Sequence, residues 1–362
     1  MKSPFSVDVT PDWRGFVDTI LRRGTPKRAH YIELFLDREV QEAILQRYGV
    51  LDGLRPDDPY YEAKRELAAQ SFLGYDFVHC GPESVILTFK STTTQDSATE
   101  LTRAGGRGFM EEHKGPITTW EEFEKYPWPS PGEFTSRNLE WFEKHLPDNM
   151  CVVGMGVAHY AEFLCWLMGY ETFCVALCEK RDLVDAITQK VTELSDAAAR
   201  LLVQFDKVKV LWGSDDMGFR GGLLVSPDDM REYVLPGHKG TAKIAHDAGR
   251  AYILHSCGNL SDIMDDLIDD VRIDGKHSYE DTIEDVRELK STYGKDIALL
   301  GGIDLDFLCR ASESEVRTRV RDTLEKCQPG GGYCVGTGNS VANYIPVDNY
   351  LAMLDEGRKF KA

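Results

Sequence analysis

The sequence predicts an α/β fold, a (β/α)8 TIM barrel with an N-terminal helical extension and a long insertion after strand 2. Three observations carry that expectation. From residue 251 onward, strand-like and helix-like segments alternate strictly. Over the whole chain, eight short apolar runs are each followed by a helical pattern. The ligand-capable residues His79, Asp215, Asp216, His255, Cys257, His277, Glu280, Asp304 and Cys334 fall at the ends of those runs, which a barrel gathers into one mouth. A chain of 362 residues with 42% hydrophobic content can form such a barrel as one domain. We therefore read 1–362 as a single domain, with 1–27 as the extension and 81–150 as the insertion.

Taken in order, residues 10–25 carry Trp13, Phe16, Val17, Ile20 and Leu21 at helical spacing. His30 to Leu36 reads as the first strand, 37–47 and 59–72 as helices, and Gly74 to Cys80 as the second strand. Residues 81–150 break the rhythm. A β-like run, Ser84 to Phe89, precedes a polar stretch rich in Thr, Ser and Gly, and Tyr126-Pro-Trp-Pro-Ser-Pro131 follows. Uninterrupted loops this long are uncommon unless functional or disordered; a cover over the mouth is the expected role, within 91–131. Cys151 to Gly156 reads as the third strand, then helical segments over 160–179 and 181–205, the second with a clear apolar face. Val208 to Asp216 reads as a fourth strand ending in two carboxylates. Ser226-Pro227 is an N-cap followed by Pro at the first helical position, opening a helix that runs to about Ala248. The remaining strands fall at 251–257, 271–277, 297–303 and 331–336, with helices near 260–268, 281–292, 312–326 and 346–361.

The net charge is −18, from 42 basic and 60 acidic residues. That balance argues against nucleic acid and anionic membranes as partners. No stretch approaches the ~18 consecutive apolar residues of a membrane span. The N-terminus lacks a signal-peptide apolar region. Nine cysteines without framework spacing suit a reducing cytoplasm.

The chemistry centres on Ala251-Tyr-Ile-Leu-His255-Ser-Cys257-Gly258-Asn259. On a strand, residues i and i+2 share a face, so the His255 imidazole and the Cys257 thiol project together. An imidazole and a soft thiolate suit Zn²⁺. Cys334, near the end of the Gly-flanked run 331–338, is the expected third ligand, leaving a position open as in catalytic zinc sites. The competing reading makes each Cys a small core residue. Asp215 and Asp216 are candidates for proton transfer or substrate orientation, and because adjacent strand residues point opposite ways only one should face the mouth. Their competing role is helix capping. His159 and His277 are candidate substrate contacts, against an ordinary hydrogen-bonded role, and Tyr344 is a candidate pocket wall.

The H-x-C pair at His255 and Cys257, Cys334, and the barrel order together resemble the uroporphyrinogen decarboxylase superfamily, and within it the zinc-dependent corrinoid methyltransferase branch. Glu33-Leu-Phe-Leu-Asp37, Gly275-Lys-His-Ser-Tyr-Glu-Asp281, Leu299-Leu-Gly-Gly-Ile-Asp304 and Gly336-Thr-Gly-Asn-Ser340 add to a likeness over about 28–358. The resemblance implies zinc on His255, Cys257 and Cys334. In the related cobalamin-independent methionine synthases a Glu between the two Cys also binds zinc; Glu280 lies in that interval, where it could equally sit at the start of the 281–292 helix. The arginine-rich motif with which the true decarboxylases hold porphyrinogen carboxylates is not found; Tyr31-Ile-Glu-Leu-Phe35 stands there. The expected function is zinc-dependent transfer of a methyl group from a small methylated substrate, such as a methoxylated aromatic, to a corrinoid protein. The alternatives are methylcorrinoid:thiol transfer of the coenzyme M type, a decarboxylating lyase, and a non-catalytic binding barrel. Fold alone decides none of them.

Overall fold

The computed structural model of the chain describes residues 3–84, 87–96, 98, 101–103, 105–111 and 113–361. Its strands are β1 (Phe77–Cys80), β2 (Ser91–Thr94), β3 (Arg107–Met110), β4 (Cys151–Val157), β5 (Val208–Ser214), β6 (Gly218–Phe219), β7 (Gly222–Leu223), β8 (Ala251–His255), β9 (Gly275–His277), β10 (Ala298–Leu300) and β11 (Tyr333–Cys334). Seven of them form one sheet in the order β1-β4-β5-β8-β9-β10-β11, and every neighbouring pair is parallel. All five residues of β8 are buried. A parallel strand covered on both faces has no solvent side, which is why these segments read as continuous apolar runs.

The sheet curls without closing into a full ladder. Residues 30–36, the expected first strand, meet the far edge only through isolated parallel bridges, Tyr31 to Val335 and Leu36 to Val341. Between the bridges the Glu33 carboxyl contacts both Thr337 N (2.8 Å) and Thr337 Oγ1 (2.6 Å). A side chain has taken the place of a backbone acceptor, so the ladder is interrupted there. On the other edge the segment reaches β1 through side chains. His30 Nδ1 lies 2.7 Å from Asp76, and Phe16 stacks on Phe77 at 4.9 Å. The result is an α/β half-barrel of curled parallel sheet, with N-terminal helix Trp13–Ile20 packed beneath it through Phe16 and Ile20.

Helix boundaries follow local chemistry. The predicted 160–179 segment is two helices, Tyr160–Met168 and Tyr170–Glu179. Gly169 separates them at φ +82, where a Cβ would lie 2.6 Å from Lys114 N. Ser226 caps as expected, accepting from Asp229 N at 3.1 Å. The helix that follows widens to a π-turn over Met230–Val234 before Leu235–Asp247; Pro236 has no N–H to give to an ordinary turn. The expected 260–268 helix is a short 3-10 turn, Ser261–Ile263, and a π segment, Asp266–Val271. The 281–292 helix starts late, at Val286, where Asp285 accepts from Arg287 N. Ser312 and Glu315 form a capping box for Glu313–Cys327.

In the insertion, β2 and β3 form an antiparallel hairpin. Residues 85–86 of the expected 84–89 run lie outside the described residues, and 87–89 are not strand. Arg103 pairs with Asp37 (2.8 Å) and Glu39 (3.0 Å), and Arg107 with Asp37 (3.1 Å) and Asn343. These contacts tie the insertion to the seam where the chain after Leu36 meets the chain after β11. No single helix among the described residues is long and apolar enough to cross a membrane.

Candidate metal centre

The central strands β5, β8 and β9 set the geometry. Their register pairs Ser214 with His255 and His255 with His277, so the residues just past β5 and β8 emerge side by side. Asp216, His255 and Cys257 bring one ligand atom each within 4.8 Å of one another. His255 Nε2 lies 3.5 Å from Cys257 Sγ and 3.5 Å from Asp216 Oδ1. Cys257 N donates to Asp216 Oδ1 at 2.9 Å, which fixes the carboxylate. The turn after Cys257 requires glycine. Gly258 has φ +86, and a Cβ there would come within 2.2 Å of the Gly218 carbonyl carbon in β6.

His277 explains how His255 is oriented. The two Nδ1 atoms are 2.8 Å apart, so one donates and the other accepts. When a metal is bound, a proton on Nδ1 of His255 would leave its Nε2 lone pair to the ion, on the side of Cys257 and Asp216. A ligating histidine is ordinarily held this way through its other ring nitrogen. Burial first, and then the His255 charge, depress the pKa of His277, which keeps it neutral and able to accept.

Charge in the cluster is unevenly held. Burial opposes ionisation of Asp216, but the hydrogen bond with His255 and its charge, then the Cys257 amide, bring its pKa to about 2. Burial first, and Asp216 second, push the Cys257 thiol well up. A divalent cation reverses that effect, because a coordinating thiol is deprotonated outright. One imidazole nitrogen, one thiol sulfur and one carboxylate oxygen fit a borderline-soft ion such as Zn²⁺.

The other expected residues are placed as follows. Asp215 is fully buried and accepts from Ala161 N (2.9 Å) and Glu162 N (2.8 Å), capping the Tyr160–Met168 helix, while His238 Nε2 sits 2.9 Å away. Of the two adjacent carboxylates, one anchors a helix and the other faces the cluster. His159 pairs with Glu162 at 2.8 Å and stacks on Phe163, lining a separate cavity of about 250 Å³. Glu280 lies outside the 4.8 Å group and lines a cavity of about 850 Å³ with Asp304, Phe307, Asn339 and Tyr344. Asp304 caps the Leu305–Arg310 helix through Phe307 N at 2.9 Å. His79, at the end of β1, stands 5.8 Å from the Trp212 ring.

Cys334 is not brought to the cluster. It is buried within β11, and the charges it feels are Asp76 and Arg28, at the opposite, N-terminal end of the strands. The residue that the last strand's continuation delivers is Asn339, whose Nδ2 donates to Cys257 Sγ at 3.1 Å. Sequence reasoning missed it because an Asn in a Gly-Asn-Ser turn carries the ordinary signature of a turn residue. Its position beyond Cys334, at the true strand exit, was the signal available.

The uroporphyrinogen decarboxylase family profile matches residues 91–360. The chain belongs to the uroporphyrinogen decarboxylase family. Within it, the chain is related to methyltransferases. A methyltransferase from Methanosarcina mazei superposes with a TM-score of 0.66 over 95% of this chain and 97% of that one, at 18% identity, which is a likeness of fold. The methylated-thiol–coenzyme M methyltransferase of Methanosarcina mazei is 25% identical over 169 residues. That match covers 45% of this chain and 43% of the relative, so less than half of either is aligned. Six of the seven strands of the curled sheet, β4 to β11, and the cluster beyond β5 and β8 of this uroporphyrinogen decarboxylase family member lie within the matched 91–360 span; β1 precedes it.

Proposed function

We propose that the chain is a zinc-dependent, corrinoid-linked methyltransferase, and that it transfers a methyl group from a methylcorrinoid on a partner protein to a small thiol. The observation that carries the reading is the Asp216–His255–Cys257 group, with ligand atoms within 4.8 Å of one another at the strand exits. Similarity to a methylated-thiol–coenzyme M methyltransferase favours sulfur as the methyl-bearing atom over the oxygen of a methoxylated aromatic.

Zinc, when bound, supplies Lewis acidity that lowers the pKa of a substrate thiol. His255 offers Nε2 because His277 holds Nδ1. Asp216 keeps its charge and is oriented by the Cys257 amide. Asn339 donates to the Cys257 sulfur and so moderates how much electron density it passes on. Thiolate plus carboxylate balance a divalent charge, which leaves the centre near neutral when loaded. The cavity of about 850 Å³ beside Asn339 and Glu280 is large enough for the substrate.

The test mixes zinc-loaded protein with methylcobalamin and a panel of thiols and follows loss of the methyl–cobalt absorbance. Chelator-sensitive methylation of a thiol is the expected result. Methyl transfer from methoxylated aromatics to cob(I)alamin, with no thiol activity, would reverse the direction and restore the aromatic substrate. Decarboxylation of uroporphyrinogen by metal-free protein would remove the methyltransferase reading.

A further inference from the structure

A second cavity, of about 560 Å³, opens beside the C-terminal ends of β1 and β4. It lies apart from the Asp216–His255–Cys257 group, and four residues that line it carry buried polar atoms without a hydrogen-bond partner among the described residues: Arg65 Nε and Nη2, Gln70 Oε1, His79 Nε2 and Asn138 Oδ1. Unpaired buried polar atoms cost free energy, and a native structure that concentrates them in one cavity requires an explanation.

Arg65 is the telling residue. It is only 5% exposed. Its nearest carboxylates, Glu62 and Glu42, stand at 3.8 and 4.0 Å, beyond hydrogen-bond range. Arg38 takes both of them instead, Glu42 at 2.8 Å and Glu62 at 3.2 Å. The two unpaired nitrogens, Nε and Nη2, form one edge of the guanidinium, the edge that receives two oxygens of an acid side by side. The other carboxylates lining the cavity are engaged. Glu66 accepts from Gln70 Nε2 and from His79 N, and Glu83 accepts from Asn138 N.

We infer that this cavity binds a small organic acid, with its carboxylate or sulfonate on Nε and Nη2 of Arg65 and a hydroxyl or N–H donor on Gln70 Oε1 or Asn138 Oδ1. The acid is organic because Leu34, Phe142 and Met155 give the cavity apolar wall. Burial holds His79 below its usual pKa, so its ring is neutral and Nε2 can either donate or accept. Ring contacts run from His79 to Trp212 (5.8 Å), to His277 (5.5 Å) and to His255 (5.0 Å), which places the cavity on the same side of the half-barrel as the metal centre. That the acid is the methyl-transfer substrate rests on the function proposed above; that the cavity holds an acid does not.

The test is titration calorimetry with 3-hydroxybenzoate, 2-hydroxyethanesulfonate and neutral 3-hydroxybenzyl alcohol, on zinc-loaded and chelated protein. Saturable binding of at least one acid, tighter than the alcohol and independent of zinc, is expected. Arg65→Lys keeps the charge but loses the fork, and should weaken acid binding about tenfold or more with zinc content unchanged. Asn138→Ala, on the surface-lying Arg137–His145 helix, should weaken the hydroxylated acid relative to benzoate and serves if the Arg65 variant fails to fold. No saturable acid binding, or equal binding by wild type and a folded Arg65→Lys variant, overturns the proposal. Acid binding without methyl transfer in any assay sinks the proposed function and leaves this site standing.

Discussion

Two regions at the same end of the half-barrel handle polarity in opposite ways. At the exits of β5, β8 and β9, Asp216, His255, Cys257 and His277 engage one another at 2.8 to 3.5 Å. Beside β1 and β4, Arg65, Gln70, His79 and Asn138 keep buried donors and acceptors unpaired. The first arrangement is preorganised: its groups hold each other where a metal needs them, and His277 already fixes the His255 ring through its other nitrogen. The second is complementary to something absent from the chain itself. Central strands flanked by neighbours on both sides deliver side chains in fixed register, whereas residues 30–36 meet the chain around and beyond β11 through isolated bridges and the β1 edge through side chains, which leaves room for a cavity.

The largest expected effect breaks the first region. Cys257→Ser should reduce bound zinc to near zero and lower methyl transfer by more than about 100-fold, while far-UV circular dichroism stays native. Cys257 lies in the turn beyond β8 and not in the apolar core, so its loss removes a ligand without opening a cavity in the fold. Full zinc occupancy in that variant would exclude Cys257 from the ligands.

Asp215 and Asp216 sharpen the comparison inside one dipeptide. Asp215→Ala leaves Ala161 N, Glu162 N and His238 without their buried acceptor, a loss of roughly 3 kcal/mol or more, read by urea unfolding. Asp216→Ala should change stability by no more than about 1 kcal/mol, since its side chain is 43% exposed, yet it should weaken zinc. If the two variants exchange these outcomes, the division of labour is wrong.

The edge region has its own pH signature. Burial raises the pKa of Glu33 from 4.5 to about 8 against the opposing contacts with Thr337. The folded chain therefore keeps a proton that the unfolded chain releases near 4.5. Between those values the native state binds more protons, so stability falls as pH rises and levels off above about 8. The contribution is at most roughly 5 kcal/mol. As a neutral acid, Glu33 can donate to Thr337 Oγ1, freeing that hydroxyl to donate to Asn339 O at 2.9 Å. Glu33→Gln should flatten the decline in denaturation midpoint between pH 5 and 8; an unchanged slope would show that Glu33 is not the group responsible.

Much of this was legible in the sequence. Apolar runs bounded by glycine located seven sheet strands, and the i, i+2 rule put His255 and Cys257 on one face. The opposed directions of Asp215 and Asp216 followed from the same rule. What was not legible depends on contacts distant in sequence. Nothing local shows that Glu33 will take the Thr337 amide and interrupt a strand, or that Arg38 will draw Glu42 and Glu62 away from Arg65. The glycines after Cys334 in the 331–336 run look like a terminus, but isolated bridges at Val335 and Thr337 carry the chain on toward Asn339.

The smallest expected effect tests that last point. Cys334 is fully buried in β11, paired in register with Leu300, and burial raises its thiol well above the usual range. A thiol in that setting is a small core side chain. Asn339 occupies the place beside Cys257 that a third ligand from the last strand would take. Cys334→Ala should therefore leave zinc content and zinc affinity within about twofold of wild type, and cost roughly 1 kcal/mol of stability for the lost sulfur packing. Asn339→Cys should do the opposite, adding a thiolate to the cluster and tightening zinc severalfold in a competition assay with a chromogenic chelator. If Cys334→Ala empties the site while Asn339→Cys leaves it unaltered, the last strand contributes its ligand from inside the barrel and the cluster beyond β5 and β8 is only part of the centre.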